Sequence, residues 1–226
     1  MCFISNHREV AISSLTNTYP ELAHKYAYVI QFLSEHPEAA SALRGALAPN
    51  VGSEDYIVRQ ANSFASGRLP RAPAPPSTIP DEMTSVILTS YFDIQQSEVM
   101  RIKHEHSLSM GAENFVGELL ERYLASVMEN EGWIWCSGSV VRAVDFIKPP
   151  ATQNDSWTLL QVKNRDNSEN SSSSAIRLGT NITKWHRTFS RRAETNWNNF
   201  PDNYLRDNLS EEGFTNFVRT YLTSLR

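Results

Sequence analysis

Apolar positions recur along this chain with two different periods. In YPELAHKYAYVIQFLSEH, Leu22, Tyr26, Val29, Ile30 and Phe32-Leu33 return at roughly helical spacing. HPEAASALRGAL follows, with Pro37 suited to a first helical turn, so two helices are predicted over residues 19–48. Ser53 ahead of Glu54 and Asp55 reads as an N-cap followed by an acidic first turn. Asp81 and Glu82 open a further helix through about Phe92. The strongest helical pattern is SMGAENFVGELLERYLASVMENEGW, where Val116, Leu119, Leu120, Tyr123 and Val127 make one face and Gly132 is a stop. The period then shortens. Trp133–Cys136, Val140–Ile147 and Trp157–Lys163 read as strands, the last two separated by Pro149, Pro150, Asn154 and Asp155. Helical patterns resume near Ala175 and from Glu211 to Leu225.

Helices, a strand cluster and helices again predict an α/β layer structure with a central mixed sheet. Five prolines between Pro70 and Pro80 mark an extended linker. The expected division is a helical subdomain over 1–67, a Pro-rich linker over 68–80, and a sheet-containing unit over 81–226.

Composition narrows the class. Hydrophobic residues make up 40% of the 226, enough for a packed core and against a disordered chain. No apolar run approaches the roughly 20 residues of a membrane span. The N-terminal MCFISNHREVAISS lacks the basic and apolar regions of a signal peptide. Cys2 and Cys136 are the only cysteines, which fits a reducing cytoplasm and excludes a disulfide framework or a four-cysteine zinc site. His104 and His106 in KHEH have no cysteine nearby and read as helix surface. The formal charge of −4 is unevenly spread: seven Lys and Arg between Lys163 and Arg192 face only Asp166 and Glu169. Such local density suits phosphate contact, and equally a solvated face.

Three residues in the strands invite chemistry. Gln161 and Lys163 are two apart and so share one face of their strand. A hairpin through the Pro-containing loop allows Asp145 to lie on that same face. Asp145, the Gln161 amide and the Val162 carbonyl could offer hard oxygens to Mg²⁺, with Lys163 orienting water or neutralising charge on a phosphorane. Glu113 borders the apolar face of the preceding helix and is a further candidate ligand. Glu121, two turns on, lies on the flank.

VDF followed by LLQVKNRDNSENSSSSAIR resembles the PD-(D/E)XK nuclease core, and more narrowly type II restriction endonucleases of the SinI kind, which cut at GGWCC. The resemblance covers Ser109 to about Arg192. It implies a restriction-endonuclease-like fold, Mg²⁺-dependent hydrolysis of double-stranded DNA, and a homodimer on a nearly palindromic site. It assigns the metal-binding aspartate to Asp145, the motif lysine to Lys163 and the helix acid to Glu113. The chain departs from the pattern at Val144, where proline is common, and at Gln161, where the pattern has an acid. Under this reading the segment after Lys163 enters a DNA groove: Asn164, Asn170 and Ser171, Ser172, Ser173 and Ser174 hydrogen-bond base edges, waters or phosphates. Arg165 and Arg177 suit guanine, Asp166 suits cytosine, and Lys184 and Arg187 suit phosphates. The alternatives are a sequence-specific DNA-binding protein that does not cut, or a helical protein-interaction module.

Overall fold

The computed structural model describes residues 2–45, 47–152, 154–166 and 181–226. In chain order these form α1 (His7–Thr16), α2 (Pro20–Glu35), α3 (Glu54–Ser66), α4 (Glu82–Ser90), α5 (Val99–Met128), β1 (Ile134–Trp135), β2 (Phe146–Lys148), β3 (Thr158–Arg165), β4 (Ile182–Thr188), α6 (Asn203–Arg206) and α7 (Glu211–Ser224). The strands make one mixed sheet in the order β1-β2-β3-β4. β1 and β2 are antiparallel, as are β2 and β3, with Phe146 opposite Leu160. β4 joins β3 in parallel, with Gln161 beside Lys184 and Lys163 beside His186.

Alternation along the strands gives the sheet two apolar faces, as expected when helices cover both sides. Ile134, Ile147 and Leu159 meet α1–α3 in a core built on Tyr26, Phe32 and Phe64. Trp135, Phe146, Leu160, Val162 and Trp185 meet α5 and α7 in a second core with Leu120, Trp197 and Phe214. The Tyr26 hydroxyl, buried in the first core, is satisfied there by donating to the Ile57 carbonyl.

The N-cap at Ser53 forms as predicted: its Oγ accepts from the Tyr56 amide at 3.2 Å. Other expectations need correction. The chain after Pro37 makes a single 3-10 turn, not a helix to residue 48. It then turns extended, and Ala40 bridges Val141. The strand expected over 140–147 shrinks to Phe146–Lys148, because Ser139 and Ala143 have positive φ and break the extended run. α1 and β4 were not expected. α1 buries only Val10, Ala11 and Leu15, a short stripe. In β4 only Trp185 is buried, so ITKWHRT looks like basic surface. α5 starts at Val99, ten residues before the helical stretch read from Ser109. The helix expected near Ala175 lies outside the described residues.

Candidate active site

α5 runs alongside the sheet, and the chain leaves it through a left-handed Gly132 into β1. Glu129 fixes this junction. Its carboxylate accepts from Arg68 Nη2 at 2.7 Å, Arg68 Nη1 at 3.1 Å, Lys25 Nζ at 2.6 Å and the Trp135 amide at 3.1 Å. Burial pushes this carboxyl up, but the two cations outweigh it and hold Glu129 below its ordinary range. Two turns back, Arg122 donates to Glu118 and to the carbonyls of Gly67, Arg68 and Leu69, so α5 also grips the chain leaving α3.

These attachments frame a cleft of about 690 Å³ lined by Glu118, Glu121, Asp145, Gln161, Lys163 and Arg142, among others. Asp145 stands immediately before β2. Its amide donates to the Leu160 carbonyl at 2.9 Å, and its carbonyl accepts from the Cys136 amide at 2.8 Å. Its backbone is thus fixed from both neighbouring strands, and its carboxylate Oδ2 accepts from the Val162 amide at 2.6 Å. Gln161 is buried and Lys163 is half-buried on β3, both facing the cleft.

Glu121 completes the group. Its Oε2 accepts from Trp135 Nε1 at 3.0 Å. Burial, and then the charge of Asp145, push its carboxyl up to about 8; Trp135 and Lys163 only partly oppose this. Burial also raises Asp145, offset in part by the Val162 amide and Lys163. Two acids that resist ionising together beside one lysine make a pocket short of positive charge.

Among the described residues no group of three or more His, Cys, Asp and Glu side chains is poised around a metal position. Two carboxylates and the Gln161 amide still suit Mg²⁺, which binds few protein oxygens and keeps several waters. The unmet negative charge of Glu121 and Asp145 supports that fit. Cys136 lies in the floor of the cleft, its thiol pushed up by burial and by Asp145, and so is a poor nucleophile.

The sequence-predicted residues divide. Asp145, Gln161 and Lys163 come together. Glu113 is exposed and lines an adjoining cavity with Lys163, Asn164, Arg165 and Arg187, while Glu121 stands beside Asp145. Val162 points its side chain into the second core and turns its amide to Asp145. Arg165 is exposed at the end of β3. Asn164 Oδ1 accepts from Arg187 at 2.9 and 3.0 Å, and Arg187 also pairs with Glu211 over the Phe214 ring. Asp166 Oδ1 accepts from the Ser190 amide at 2.8 Å. Lys184 lies beside Gln161 on β4. Asn170, Ser171–Ser174 and Arg177 lie outside the described residues. His104 and His106 are exposed on α5, as expected.

Sequence reasoning missed the cleft mouth. Arg71 pairs with Glu118 at 3.2 Å, and its backbone is clasped by the Tyr221 hydroxyl, which accepts from the Arg71 amide at 2.7 Å and donates to its carbonyl at 3.0 Å. Arg142 stands at the same opening, its amide bonded to the Ala39 carbonyl at 2.8 Å. Neither position carries a local motif; both arise from contacts between distant segments.

Two relatives are similar over nearly their whole length. The chain is 53% identical to the type II restriction enzyme Eco47I of Escherichia coli over 224 residues, spanning 99% of this chain and 97% of that one. It is 51% identical to the type II restriction enzyme SinI of Salmonella infantis over 225 residues, with the same coverage. A model of the SinI restriction endonuclease family matches residues 8–224, and the chain belongs to that family.

Proposed function

We infer that the chain is a type II restriction endonuclease that hydrolyses phosphodiester bonds at a short specific site in double-stranded DNA. The single observation that carries this reading is the convergence of Asp145, Glu121, Gln161 and Lys163 in one cleft of a chain over half identical to two restriction enzymes. Mg²⁺ is the fitting cofactor, held by Asp145 and Glu121 with the Gln161 amide and the Val162 carbonyl as neutral oxygens. When bound there it would acidify a water and offset charge on the scissile phosphate. Glu113, farther along α5, is better suited to contact outside the metal shell.

The protein's own part is positioning. The Val162 amide fixes one oxygen of Asp145, leaving the other to face the cleft. Trp135 orients Glu121 in the same way. Lys163 supplies the cation that holds the attacking water and opposes charge developing on phosphorus. Arg71 and Arg142 at the mouth suit the flanking phosphates. Asn164, Arg165 and Asp166, continuing β3 out of the cleft, are placed to lead into a groove, with Asn170, Ser171–Ser174 and Arg177 extending that surface. Lys184 suits a phosphate. Arg187 is committed to Asn164 and Glu211, so its part is to shape this surface.

Residues 1–67 serve as a helical subdomain covering one sheet face, 68–80 as a Pro-rich connection, and 81–226 as the catalytic and DNA-binding part. Two such chains, as a homodimer in the cytoplasm, would cut both strands of a near-palindromic site of the GGWCC kind. Digestion of phage DNA with Mg²⁺, followed by sequencing of the product ends, tests the reading. Discrete fragments with one common end sequence are expected. Intact DNA with every divalent metal, despite tight specific binding, would show a binder that does not cut.

A further inference from the structure

α4 buries none of its nine residues. A helix so short is marginal in water unless packing supports it. Its support within the chain is slight: it doubles back on the first turns of α5, with Lys103 Nζ 3.6 Å from Glu82. Its outer side is apolar. Met83 and Ile87 stand one turn apart and are more than half exposed, Tyr91 and Phe92 follow at 81% and 61%, and Ile79 and Met100 add 94% and 73%. Together these side chains expose on the order of 800 Å², about what each partner contributes to a standard interface and more than the few hundred Å² usual on a monomer.

We propose that the outer side of α4, with Ile79 before it and Met100 on α5, is the surface on which a second copy of this chain docks. This rests on the endonuclease reading, which requires two clefts for two strands from a chain that presents one at Asp145. A two-fold contact sets a patch against itself, so it needs a self-complementary surface. This one qualifies: its centre is apolar, and beside it Arg101 is paired with Glu98 and Glu105, both signs within two consecutive turns. Glu82 is likewise matched by Lys103. The patch lies on the far half of α5 from Glu121, so docking leaves the cleft open.

Sedimentation velocity at micromolar concentration tests this. The wild type should sediment at twice the 25.6 kDa chain mass. Met83→Glu/Ile87→Glu should sediment as one chain with unchanged far-ultraviolet circular dichroism, its dimer dissociation constant raised at least about a hundredfold. Tyr204→Glu, on exposed α6, should remain dimeric. On supercoiled plasmid the double variant should nick, or cut only at raised enzyme concentration. A monomeric wild type, or a double variant that stays dimeric, overturns the proposal. A wild type that dimerises through this face but leaves DNA intact overturns the endonuclease reading and upholds the interface.

Discussion

At the scale of single residues, Glu121 holds the sharpest consequence. Its carboxyl sits near 8 through burial and the neighbouring Asp145. Because the folded value exceeds the unfolded one, the folded protein holds the extra proton between about pH 4.5 and 8. The stabilisation from that proton is full below the unfolded value and fades as pH rises through 8. Metal binding needs the ionised form, so Mg²⁺ affinity should rise about tenfold per pH unit toward 8 and then level. Mg²⁺ titrations by calorimetry should show proton release, and Glu121→Gln should flatten the pH dependence. Asp145→Asn and Lys163→Ala should each remove cutting, by at least about 10³-fold, while gel shifts in Ca²⁺ show specific binding retained. That Gln161 and Lys163 share one face was legible because a strand's period of two fixes it, whereas Asp145 joins them from the residue before β2 and needed the pairing register. The sequence points to Glu113 rather than Glu121 as the helix acid, whereas Glu121 is the one that lines the cleft with Asp145. Both lie near one helix face, and only the route of β1, which brings Trp135 to Glu121, separates them.

At the scale of elements, two junctions carry the site. Glu129 ties α2, the end of α3, α5 and β1 through Lys25, Arg68 and Trp135. Glu129→Ala leaves Arg68, only 13% exposed, without its partner. Urea denaturation at pH 7 should show a loss of about 3–5 kcal/mol. The wild-type contribution is present above the ordinary carboxylate range and is lost as pH falls through the depressed folded value of Glu129, so the variant's deficit should shrink in acid. The second junction is Gly138, in the left-handed region at φ +73°, where an added Cβ would lie 2.0 Å from the Ser63 carbonyl at the end of α3. Gly138→Ala should cost at least about 2 kcal/mol in the same assay and weaken cutting by displacing Asp145's loop. α2 and the body of α5 could be read from periodicity because each buries a broad stripe, and the start of α3 from its Ser53 cap. β4 could not: its single buried Trp185 hides among polar neighbours.

At the scale of the molecule, a chain of net charge −4 must bind a polyanion through a local surface. Lys184→Ala should weaken binding evenly across sequences and reduce the slope of log K against log salt by about one, as seen in filter binding over a salt series. Arg165→Ala should instead cost about 1–3 kcal/mol at one base pair if it reads guanine. The two-layered helical cover of the sheet followed from element order, but the extent of α5 did not, since its first half has almost no buried side to betray it. That half gives the helix a second meaning. α5 is a stiff rod of thirty residues, about 45 Å long. Met100 and Glu121, twenty-one residues apart, are separated along it by about 31 Å. With the proposed docking face at one end and Glu121 toward the other, the helix would serve as a ruler. The stagger between the two cuts is then written in a count of helical turns, and inserting one turn between Gly111 and Phe115 should change the length of the overhang or abolish double-strand breaks while leaving single-strand nicking intact.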